Sequence, residues 1–84
     1  MDICEIWSIS IERIAAFLSS HDEVLTYSGD HFSFRGCDIS LAVLPDHRVG
    51  SFLFPRTQVC FSGPASDTEE IHRRFVLQFI SAGG

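Results

Sequence analysis

The chain has no lysine and no asparagine; its basic side chains are six arginines and four histidines, set against eleven acids for a formal charge of −5. No basic stripe is present to neutralise phosphates, and that electrostatic term supplies most nucleic-acid affinity, so nucleic-acid binding is not expected. Long apolar runs are missing as well. Nothing approaches the ~20 residues that span a bilayer, and the N-terminus lacks the basic region and apolar core of a secretory leader. Met1-Asp2 lacks the Gly that N-myristoylation requires. These absences set the expectation of a cytoplasmic protein without a membrane partner.

Cysteine is scarce and odd in number. Cys4, Cys37 and Cys60 form no C-x-x-C pair, which excludes a zinc ribbon and a thioredoxin-type redox motif. Three reduced thiols acting as small hydrophobes are the expectation. Cys37 is expected on the inward face beside Arg35, too enclosed to serve as a nucleophile. No Gly-x-Ser-x-Gly elbow accompanies the serines. No catalytic, cofactor or nucleotide signature stands out, so an enzyme is not expected and no cofactor is implied.

What is present is a half-apolar chain of 84 residues with eight Phe, long enough for a single domain over residues 1–84. Between Glu23 and Ser62 the apolar residues alternate with polar or small ones, the mark of half-buried antiparallel strands. The pattern predicts strands at Glu23–Ser28, His31–Arg35, Asp38–Leu44, Gly50–Phe54 and Thr57–Ser62. Turns are expected at Gly29-Asp30, Gly36, Pro45-Asp46 and Pro55-Arg56. Leu25, Tyr27, Phe32, Phe34, Phe52, Phe54, Val59 and Phe61 are then inward. Because the connections are short, sequential strands are expected to be neighbours.

Helical spacing brackets this core. Ile3, Trp7, Ile11, Ile14 and Leu18 recur every three or four residues, predicting a helix firmly over Ser10–Ser20. Asp2 and Glu5 fit a capping box for a longer helix, while β-branched residues leave Ile3–Trp7 open as an edge strand. Ser66 with Glu69 predicts the cap of a last helix with Ile71, Phe75, Val76, Phe79 and Ile80 on one face. Five strands at ~4.8 Å spacing make a sheet about 19 Å wide, which two helices cover on one side only. The expected fold is therefore α+β: a five-stranded antiparallel meander with both terminal helices on one face, α-β5-α. That order resembles frataxin-type domains as architecture alone; their acidic first helix has no counterpart, Glu12 being the one firmly placed acid on it. Gly83-Gly84 ends the chain as ubiquitin-like modifiers and sulfur carriers do, but here the pair follows a helical segment, where Gly is an ordinary stop.

Two functional readings follow. The uncovered sheet face is expected to present Val24, Thr26, Ser33, Arg35, Asp38, Ser40, Ala42, Leu44, Ser51, Leu53, Gln58 and Cys60, of which only Arg35 and Asp38 are charged. Charge depletion at a patch centre is a mark of interfaces. A homo-oligomeric protein-interaction module is thus expected, with Val24, Ser40, Ala42, Leu44, Ser51, Leu53 and Cys60 in contact and Leu44 beside Leu53. The alternative is a small ligand or metal site built from Asp30, His31, Asp46 and His47, residue types suited to zinc. Two strand spacings, about 10 Å, separate those turns, which favours simple solvated turns instead. Arg35 and Asp38 flank a Gly turn and are expected to form a surface ion pair.

Overall fold

A computed structural model describes residues 1–82; Gly83-Gly84, with the modifier-like ending, lie outside the described residues. Five strands and two helices make an α+β fold, in the order β1 (Asp2–Trp7), α1 (Ile11–Ser19), β2 (Val24–Ser28), β3 (His31–Phe34), β4 (Cys37–Val49), β5 (Phe52–Ser62) and α2 (Ala65–Ala82). The strands form one antiparallel sheet, ordered β1-β5-β4-β3-β2. β2 to β5 are a meander. β1 closes the far edge against β5, so α1 crosses the sheet to link its two edge strands.

Helix α1 begins where Ser10 caps it: the Ser10 side chain accepts from the Arg13 N–H at 3.4 Å. The Ser20 hydroxyl donates to the Phe17 carbonyl at 2.6 Å, occupying one of the carbonyls left over at the helix end. Its buried residues are Ile14 and Leu18. Ile3 and Trp7 belong to β1 instead, where they pair with Phe61 and Thr57 and pack against the core. Helix α2 starts directly after Pro64, with the Thr68 N–H donating to the Pro64 carbonyl. Ser66 therefore lies inside the helix and is not its cap. Ile71, Phe75 and Phe79 are buried, whereas Ile80 is exposed.

Both helices cover the face that carries Phe32, Phe34, Ile39, Val59 and Phe61, all essentially without exposure. Phe75 sits at the centre of this layer, its ring edge-to-face with Trp7, Phe17 and Phe61. The buried Thr57 hydroxyl donates to the Ile9 carbonyl at 2.7 Å, satisfying both groups and joining β5 to the β1–α1 connection. Gly63 allows β5 to pass against the β3–β4 turn: a Cβ there would stand 2.5 Å from the Gly36 carbonyl oxygen.

The two expected proline turns are absent. β4 and β5 run on as one long hairpin whose turn is Gly50-Ser51, between the paired Val49 and Phe52. Gly50 has φ 61° while Ser51 keeps a negative φ, the pattern of a type II′ hairpin turn. Pro45 and Pro55 fall instead at an irregularity, where β4 has one extra residue between the pairs Leu44–Arg56 and His47–Phe54. A bulge tolerates proline because the ladder is already interrupted there. The separate fourth and fifth strands of the sequence reading are one strand, and β1 supplies the fifth.

Candidate functional site: an open sheet face and a projecting arm

Residues directly opposite in an antiparallel pair share a face, and successive residues alternate. The register therefore assigns the face away from the helices row by row. Asp2, Ser62 and Asp38 form one row, then Cys4, Cys60 and Ser40, then Ile6, Gln58 and Ala42, then Arg56 and Leu44. Past the bulge come His47 with Phe54, and Val49 with Phe52. Leu25 joins this face opposite Ser33, whose side chain is covered by Tyr27; the two hydroxyls stand 3.3 Å apart.

Of the expected contact residues, Ser40, Ala42, Leu44 and Cys60 lie together on this face. Val24 does not. It pairs with Phe34 inside the core, and Thr26 shares the same side opposite Phe32. Leu25 and Tyr27, expected inward, are instead 61% and 63% exposed. Ser51 occupies the hairpin turn. Leu53 opposes Arg48 on the other face of the hairpin, so it is not a neighbour of Leu44 in the patch. The extra residue at Tyr27 accounts for Val24 and Leu25, since a one-residue slip turns every later side chain over, whereas Leu53 follows the unbroken alternation of β5 through Pro55, where a turn had been expected.

The hairpin gives the molecule its 41 Å long axis against 25 and 23 Å for the others. β3 pairs only with Cys37–Ser40, and β1 only with Thr57–Ser62, so residues 44–56 stand out as a two-stranded arm. Phe52 is 68% exposed and Val49 52%, and the Phe52 and Phe54 rings lie 6.5 Å apart. Two-stranded ribbons are marginal in water by themselves. Sequence reading missed the arm because it read each proline as a turn; the Gly50-Ser51 pair was the available signal for the true one.

Cys4 and Cys60, paired across β1 and β5, are joined by a disulfide on the open face, and Cys37 is buried and free. The expectation of three free thiols is overturned. With residues 3–7 open between helix and edge strand, the pairing was hidden; as a strand they put Cys4 directly opposite Cys60.

The metal alternative loses its geometry. His31 pairs with Ser40 at one end of β4, while His47 lies seven residues further along that strand, roughly 20 Å away. Among the described residues no group of three or more His, Cys, Asp or Glu converges on one point. Asp30 accepts from the Ser28 hydroxyl within its own turn. A cleft of about 340 Å³ between the helices is lined by Arg13, Phe17 and Phe79 among others, and Arg13 is its one charged side chain among the described residues.

Charge is concentrated on the opposite side of the molecule. Arg35 pairs with Glu23 at 2.6 Å, not with Asp38, and Arg74 bridges Glu23 at 3.0 Å and Glu70 at 2.8 Å. Arg73 adds a second contact to Glu70. Hydrogen bonds from Arg73 and then Arg74 hold the Glu70 carboxyl down to about 2. Arg74, then Arg35, lowers that of Glu23, and Glu23, then Glu70, raises the guanidinium of Arg74. The guanidiniums of Arg35 and Arg74 lie over the Phe34 ring at 4.6 and 5.1 Å. This network clamps α2 to the start of β2 and the end of β3. It is saturated internally, leaving the open face as the candidate site.

Compared with known protein families and curated proteins, the chain matches none of them.

Proposed function

We propose that the protein is a non-enzymatic interaction module that pairs with a second copy through the open sheet face. The observation that carries this reading is the make-up of that face. Its central rows hold Ile6, Gln58, Ala42, Ser40 and the Cys4–Cys60 bridge, without one charge, and beyond the Arg56–Leu44 row come the exposed Phe54, Phe52 and Val49 of the arm. A charge-poor centre flanked by exposed aromatics is the compositional pattern of interface cores. Small central side chains also let two sheets approach to the ~10 Å of face-to-face packing.

The five-stranded part has a footprint of roughly 19 by 20 Å per copy, so a pair with its arms covers on the order of 1,000 Å² in total, the size of a specific contact. The Cys4–Cys60 bond fits an oxidising compartment, so the cysteines lend no support to the expected cytoplasmic location.

Ala42→Arg tests the reading. It puts one charge into the patch centre of each copy, where pairing would desolvate it. The variant should keep its circular dichroism while its light-scattering mass falls from dimer to monomer. Leu53→Arg, on the other face of the arm, should leave the dimer intact. Equal behaviour of the two variants would contradict the assignment.

A further inference from the structure

We infer that the two copies stack with their strands antiparallel, so that Arg56 of each comes to lie between Asp2 and Asp38 of the other; this rests on the self-pairing reading. The open face is polar along the strand direction. At its body end Asp38, Ser62 and Asp2 form one row, and the Ser62 hydroxyl holds Asp2 at 2.6 Å. Six residues along β5, roughly 20 Å away, Arg56 projects from the same face at the root of the arm. His47 follows on the next pair. Arg56 and Asp38 form no ion pair among the described residues, unlike Arg35, Arg73 and Arg74.

The charge balance of the whole chain repeats this polarity. Residues 44–56 hold Arg48 and Arg56 against Asp46, a balance of +1. The remainder carries four arginines and ten acids, a balance of −6, and the two sum to the −5 of the chain.

Two sheets meeting face to face under a two-fold axis have two simple choices. An axis parallel to the strands sets Arg56 over Arg56 and the acidic row over its copy, which like charges oppose. An axis across the strands, midway between the Gln58 and Cys60 rows, stacks β5 on β5 in opposite senses. Arg56 then faces Ser62 of the second copy, flanked by Asp2 on β1 and Asp38 on β4. Gln58 faces Cys60, and Ala42 faces Ser40. Sheet twist rotates the two strand sets by about 30° without exchanging these ends. The arm passes beyond the last paired row, and Phe54 reaches the Gly63–Pro64 end of the second copy, where the Met1 amino group donates to the Gly63 carbonyl. One arrangement thus pairs both unmatched charges.

Charge exchange tests it. Dimer dissociation constants are measured by sedimentation for the parent, Arg56→Glu, Asp38→Arg and the double variant, with circular dichroism confirming that each is folded. Each single reversal should weaken the dimer about tenfold or more, and the double variant should recover to within a few-fold of the parent. Weakening should also grow in the parent as salt rises. Singles that leave dissociation unchanged, or a double variant that weakens it further, would overturn the antiparallel stack. If Ala42→Arg still dissociates such a dimer, pairing through the open face stands and the orientation alone fails. A parent that is monomeric throughout would remove both.

Discussion

Phe34 concentrates the stability of this domain at one residue. Its ring is fully buried between Val24 and the helices, and two guanidiniums close over it. Phe34→Ala, like Phe61→Ala at the equally buried site opposite Ile39, should cost about 3–5 kcal/mol in denaturant unfolding, much of what so small a domain possesses. Melting within a few degrees of the parent would show these rings to lie outside the core. The cysteines yield a second residue-scale prediction. Alkylation of the denatured, unreduced chain should add one adduct, at Cys37, and three adducts would mean that Cys4 and Cys60 are not bonded. The bridge spans a sequence separation of 56, for which the chain-entropy model gives about 4 kcal/mol. The inward residues of β3, β4 and the second half of β5 were legible because their alternation has a single apolar phase. Val24-Leu25-Thr26-Tyr27 was not: either phase holds a plausible inward pair, and only the pairing of Val24 with Phe34 decides it.

Among the elements, α1 was legible almost to the residue, since Ser10 and Ser20 mark its two ends and Ile14 and Leu18 its buried face. β1 was obscured by arithmetic. Ile3 and Trp7 are four apart, a spacing that satisfies both the helical period and an even number of strand steps. The β-branched Ile3 and Ile6 favour the strand, and pairing with β5 settles it. The prolines misled for a related reason: each is a good turn residue locally, yet both can be absorbed by one bulge in a long hairpin. The clamp between α2 and β2–β3 gives the element-scale prediction. Glu70 and Glu23 have depressed carboxyl values in the folded state, so their contribution is complete above the ordinary value of about 4.5. It is lost as pH falls from there towards the Glu70 value of about 2. Glu23 is exposed and Glu70 only half-buried, so the loss is modest and screened by salt. In thermal melts across that window, Glu70→Gln should show a shallower fall in midpoint than the parent. Parallel curves for the two proteins would show that the Arg73–Glu70–Arg74 contacts contribute nothing to folding.

At the scale of the molecule, one side of the sheet is finished and the other is not. The helices bury the Phe-rich face and the arginine–glutamate network seals its edge, while the opposite face ends in an apolar arm without neighbours of its own. That the sheet has an uncovered side followed from a width estimate alone, because five strands outspan what two helices cover twice. Its composition was only half legible: Ser40, Ala42, Leu44 and Cys60 belong to it, whereas Val24 and Leu53 depended on registers that no local pattern records. The most direct measurement is the solution mass of the chain itself across a dilution series, by sedimentation equilibrium. A module completed by its own copy should run at twice its 9.4 kDa at tens of micromolar and dissociate on dilution. A single 9.4 kDa species persisting at hundreds of micromolar would contradict self-pairing through the open face.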